Sequence, residues 1–79
     1  MKVLLFAQAR HLTGSSEITL KVDRPQTQPE FWAQLIETFP PLAPLQKSAR
    51  LARNETYLQP DELLKPGDEI AVIPPVSGG

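Results

Sequence analysis

The chain has 79 residues, a formal net charge of −1 with 22% charged residues, and no cysteine. That length supports one domain with one modest core, burying about 60% of its unfolded surface. The balance of charge offers no basic stripe for phosphates and so argues against nucleic acid as a partner, and the lack of cysteine excludes disulfides, thiolate metal sites and a thiol nucleophile.

The longest apolar run, residues 3–7, is too short to cross a membrane. It also lacks the long apolar core and cleavage site of a signal peptide, so a cytoplasmic location without a membrane partner is expected. Lys2-Val3-Leu4-Leu5-Phe6-Ala7 reads as a strand, apolar on both faces. Leu12-Thr13-Gly14-Ser15-Ser16 carries loop chemistry. Residues 17–22 alternate polar and apolar, which turns Ile18, Leu20 and Val22 toward a core. These two strands predict a hairpin with a loose loop.

The period then changes. Thr27-Gln28-Pro29-Glu30 fits a capping box, and Pro29 costs little in a first turn whose N–H groups have no intrahelical partner. Phe31, Trp32, Leu35, Ile36 and Phe39 follow at helical spacing and Pro40-Pro41 ends the helix. Residues 41–48 read as an irregular, proline-rich loop wrapping back over the domain. Leu51-Ala52-Arg53-Asn54 predicts a third strand and Thr56-Tyr57-Leu58 a short fourth. Residues 59–64 predict one helical turn with Pro60 near its start. Lys65-Pro66-Gly67-Asp68 predicts a type II turn.

The last strand, Glu69-Ile70-Ala71-Val72-Ile73, is apolar on both faces and therefore central. It leads into Pro74-Pro75-Val76-Ser77-Gly78-Gly79. Two prolines stiffen the exit toward an extended path, from which the tail reaches about 20 Å at full extension. Gly78 and Gly79 make a slim thread ending in an unhindered carboxylate, suited to entering another protein's channel. The plainer alternative is a frayed end. If Val3 and Leu5 face the helix, then Leu4 and Phe6 point the other way with Ala71 and Ile73, joined by Tyr57. Such a patch marks an interaction surface, unless the loop at 41–48 covers it.

Phe6-Ala7-Gln8-Ala9-Arg10, Asn54, Gly67-Asp68-Glu69 and Pro74-Pro75-Val76-Ser77-Gly78-Gly79 occur in one order. Together they resemble the small, sulfur-carrier subunits of molybdopterin synthase, in the MoaD/ThiS branch of ubiquitin-like β-grasp proteins. The resemblance implies an α+β fold: a mixed sheet of four to five strands packed on one main helix over residues 1–74, with a flexible tail at 75–79. It implies no stably bound cofactor and no catalysis by the chain alone. An adenylating, ubiquitin-activating-like enzyme would use ATP on the Gly79 carboxylate, and a sulfur donor protein would convert it to a thiocarboxylate. The large synthase subunit would then take up the loaded tail, with Pro75, Val76, Ser77 and Gly78 threading its channel and Phe6, Tyr57 and Ile73 at the interface. Two small and two large subunits would form a heterotetramer building the dithiolene of the molybdenum cofactor. Anionic sulfur is a soft nucleophile that needs no cysteine in this chain.

Three alternatives stay open: a thiamine-pathway sulfur carrier, a modifier joined to target lysines through Gly79, and a binding module with an inert tail. His11 has no second ligand beside it to suggest a metal site, and Ser77 has no assignable base. Asp61-Glu62 and Asp68-Glu69 are read as solvating and capping pairs, with rim salt bridges that steer a basic partner as the alternative, and Lys2, Lys21, Lys47 and Lys65 as ordinary surface lysines.

Overall fold

A computed structural model describes residues 1–75. Five strands form one mixed sheet in the order β2-β1-β5-β3-β4. They are β1 (Lys2–Leu5), β2 (Glu17–Thr19), β3 (Arg50–Arg53), β4 (Thr56–Tyr57) and β5 (Glu69–Ile73). β1 runs parallel to β5, and every other pairing is antiparallel. The apolar β5 is thus the middle strand, as its two apolar faces require. Val3 and Leu5 register with Ile70 and Val72, and all four side chains are buried toward the helical side. The α+β arrangement implied by the resemblance is the one observed.

The main helix α2 (Gln28–Thr38) begins at the expected capping box. Thr27 Oγ1 accepts from the Glu30 N–H at 3.2 Å, and Glu30 Oε1 accepts from the Thr27 N–H at 2.8 Å. The Thr27 hydrogen bonds hold the Glu30 carboxyl below the usual glutamate range, the backbone N–H contributing most. Phe31, Trp32 and Leu35 are buried, with the two aromatic rings edge to face at 6.2 Å. Leu20 is buried beside them, and Ile18 and Val22 pack against the same core. β2 ends at Thr19, but backbone pairing runs on through Leu20, whose N–H donates to the Met1 carbonyl at 2.9 Å.

Four expectations are corrected. The connection between the first two strands is a helix, α1 (Ala7–Thr13), and β1 ends before Phe6. Ala, Gln, Arg and Leu are good helix formers. Gly14, in the left-handed region at φ 72°, caps the helix by donating its N–H to the Arg10 carbonyl. Only Ala9 is fully buried on α1, too small an apolar signal to display helical periodicity.

The segment at 41–48 also has order: Pro40–Leu45 is a 3-10 helix. Proline's fixed φ suits this geometry, and residues three apart align on one side, which drives Leu42 and Leu45 into the core. The 3-10 helix packs on α1 and α2, so the open face of the sheet stays uncovered by it.

At residues 59–64 the chain makes a hydrogen-bonded turn, Glu62 N–H to Gln59 carbonyl at 3.1 Å, without becoming a helix. Finally, the turn at 65–68 closes through Asp68 N–H to Lys65 carbonyl at 2.9 Å, but Gly67 does not enter the left-handed region, so the turn is not type II. The Asp68 carboxylate accepts the Lys65 N–H at 2.8 Å and closes the turn from its other side.

Candidate functional site

The open face of the sheet carries the site. Strand alternation puts Leu4 of β1, Ala71 and Ile73 of β5, and Ala52 of β3 opposite the buried set. Phe6 follows β1 in extended conformation and hands its N–H to the Val72 carbonyl at 3.4 Å. Tyr57 registers with Ala52 across the β3–β4 pair. These six residues, with Asn54, Glu55 and Glu69, line a groove of about 300 Å³. Phe6 is 47% exposed and Tyr57 45% exposed, whereas Ala52 on the groove floor is buried.

Phe6, Tyr57 and Ile73, expected at an interface, therefore share one apolar depression. The groove leads to the root of the tail: Ile73 lines it, Pro74 is buried, and Pro75 is exposed. Val76, Ser77, Gly78 and Gly79 lie outside the described residues.

Charges border the groove at both ends. At the Glu69 end, Lys2 Nζ sits 3.5 Å from Glu17 and 3.4 Å from Glu69. The Glu17 charge, followed by the Glu69 hydrogen bond, raises the Lys2 pKa above the ordinary lysine value. Glu55 adds a further carboxylate at that end. Both Asn54 and Glu55 have positive φ, 49° and 72°, as a two-residue type I′ hairpin turn requires. At the Ile73 end stands Arg50, opposite Ile73 in register, with its guanidinium carbon 3.8 Å from the centre of the Tyr57 ring.

Sequence reasoning missed Ala52, Asn54, Glu55, Glu69 and Arg50 as members or borders of the groove. The two-residue turn between β3 and β4 was the available signal, because it sets which β3 residues face Tyr57.

The acidic pairs have more definite duties than solvation. Arg53 donates to Glu62 at 2.6 Å, to Asp68 at 3.2 Å and to the Leu63 carbonyl at 2.8 Å. This clamp holds the segment that feeds β5. A second tie is the antiparallel bridge between Gln26 and Leu64, with both backbone bonds at 2.8 Å. Lys2 is likewise an ion-pairing residue and not merely a solvated one. His11 is exposed in the last turn of α1. Among the described residues no three His, Cys, Asp or Glu side chains group as metal ligands, and no helix is long and apolar enough to cross a membrane.

The ThiS family profile matches residues 3–79. The chain is 42% identical over 79 residues to the molybdopterin synthase sulfur carrier subunit of Arabidopsis thaliana, covering 100% of this chain and 82% of that one. It is 40% identical over 81 residues to the protein of the same name from Chlamydomonas reinhardtii, covering 100% of this chain and 98% of the other. In structure it is similar to SAMP1 of Haloferax volcanii, with a TM-score of 0.83 and 28% identity over 99% of this chain and 97% of that one.

Proposed function

The chain belongs to the ThiS family, and from that membership we propose that it is the sulfur carrier, and small subunit, of a molybdopterin synthase. The observation that carries this reading is the continuity of the apolar groove with the tail root, Ile73 belonging to both. A partner seated on Phe6, Tyr57 and Ile73 receives the chain as it leaves the middle strand of the sheet. Full-length likeness to curated sulfur carrier subunits supports the same reading.

In this reading residues 75–79 are the working tail. The Gly79 carboxylate attacks the α-phosphate of ATP in an activating enzyme, releasing pyrophosphate and leaving an acyl-adenylate. Sulfur delivered by the donor protein at the sulfide level, as HS−, then attacks the acyl carbon, the bond to AMP breaks, AMP departs, and loss of the proton leaves a thiocarboxylate. Pro75, Val76, Ser77 and Gly78 thread the large subunit's channel, pairing backbone groups with its wall as a peptide strand does. There the anionic sulfur is positioned against a carbon of the pterin precursor. Phe6, Tyr57 and Ile73 supply the docking area that makes this positioning reproducible. ATP serves the activating enzyme alone.

A second reading is favoured by the likeness to a protein described as a small archaeal modifier: attachment of Gly79 to lysines of other proteins. Both readings are tested by incubating the chain with an activating enzyme, ATP and a sulfur donor, followed by intact-mass analysis. Exchange of one oxygen for sulfur at Gly79 is expected, and deletion of Gly79 abolishes it while the melting temperature stays unchanged. Lysine adducts without sulfur exchange would replace the carrier reading by the modifier reading.

A further inference from the structure

The open face is polarised along its strands. At the Glu69 end lie three carboxylates, Glu17, Glu55 and Glu69, with one ammonium, Lys2. Arg50 registers with Ile73 at the other end, about 13 Å of backbone away along β3 at the usual strand rise, and its guanidinium lies over Tyr57 on the β4 side of the groove. Lys2 and Arg53 are each held by two carboxylates, whereas Arg50 makes no ion pair among the described residues. Its guanidinium rests on Tyr57 instead. Stacking occupies the flat of a guanidinium and leaves its in-plane N–H groups free to donate. A side chain already held on a ring also has less rotamer freedom to lose when it meets a partner. Arg50 is therefore a preordered cation on the β4 side of the groove, carried by the strand position that registers with Ile73.

We infer that Arg50, carried on the ring of Tyr57, is a specificity-determining residue of the docking face and pairs with a carboxylate of the subunit that takes up the tail. The inference rests on the sulfur-carrier reading. The opposite end of the groove meets that subunit's cations through Glu55 and Glu69. A partner turned end for end brings like charges together, which disfavours the wrong orientation. Only one orientation then places the tail root at the channel mouth.

The test uses the full-length chain and the purified large synthase subunit of the same organism. Titration calorimetry at about 50 and 300 mM salt, a range over which screening changes strongly, compares wild type with Arg50→Gln, Arg50→Lys and Arg50→Glu. Thermal melting of each variant reports its folding. Arg50→Gln is expected to raise Kd about tenfold and Arg50→Glu thirtyfold or more, as for interfacial charge pairs. Arg50→Gln should also flatten the salt dependence, and Arg50→Lys should fall between it and wild type. Arg50→Gln carries the test should Arg50→Glu fold poorly. Binding of Arg50→Gln within about twofold of wild type, with unchanged salt dependence, overturns the inference while leaving the sulfur-carrier reading in place. Failure of the wild-type chain to bind overturns both.

Discussion

Truncation of Phe6 to alanine tests the proposed docking face against the core. The ring is 47% exposed where β1 gives way to α1, and it lines the groove without joining the core cluster. A phenylalanine that buries about 150–250 Å² in full thus keeps roughly 70–120 Å² for a partner. At about 25 cal/mol per Å² that area is worth roughly 2–3 kcal/mol of binding, or about thirty- to a hundred-and-fortyfold in Kd. The covered part of the ring borders an open groove, so its loss leaves no sealed cavity. Folding should weaken by only about 1 kcal/mol, lowering the melting temperature by about 4–8 °C for a domain this small. Calorimetric titration of the folded Phe6→Ala chain into the purified large subunit, alongside thermal melting, measures both quantities. A Kd within about threefold of wild type would refute the assignment of this face to docking. A stability loss above about 3 kcal/mol would place the ring in the core instead.

Leu42 tests the opposite claim, that the proline-rich 3-10 helix is a core element. It is fully buried, so Leu42→Ala should cost about 2–4 kcal/mol in urea unfolding, and a cost below about 1 kcal/mol would return the segment to the status of a surface loop. Glu30 tests the helix cap. Its carboxyl is held below the ordinary pKa in the folded chain, so its stabilising effect is complete above the unfolded value near 4.3 and fades as pH falls through the lower folded value. The gap in melting temperature between wild type and Glu30→Ala should therefore be full at neutral pH and narrow below about pH 4; a gap independent of pH would show that the ionised carboxylate contributes nothing to the cap.

What was legible in the residues follows from which forces act locally. The capping box at Thr27 and Glu30 depends on four consecutive residues, and the bonds formed as expected. Strand β5 announced its central place because both of its faces are apolar, and period-two alternation then sorted Phe6 and Ile73 to the open side. Helix α1 escaped notice because it buries little more than Ala9. The 3-10 helix escaped because prolines signal chain breaks in one context and preset helical φ in another. Gly67 illustrates a different limit: its freedom was available, but hydrogen bonds to Asp68 made it unnecessary. Arg50 was out of reach, since its place on Tyr57 depends on a strand pairing that only the hairpin between β3 and β4 establishes.

The parallel pairing of β1 with β5 joins residues 2–5 to residues 69–72. One edge of β1 is satisfied locally by β2, but the other pairs with residues about 67 positions further along, a long-range contact that is slow to form. Loss of residues 69–73 would remove the middle of the sheet and not an edge. Closure of the sheet and placement of Ile73 at the end of the groove therefore depend on one and the same strand.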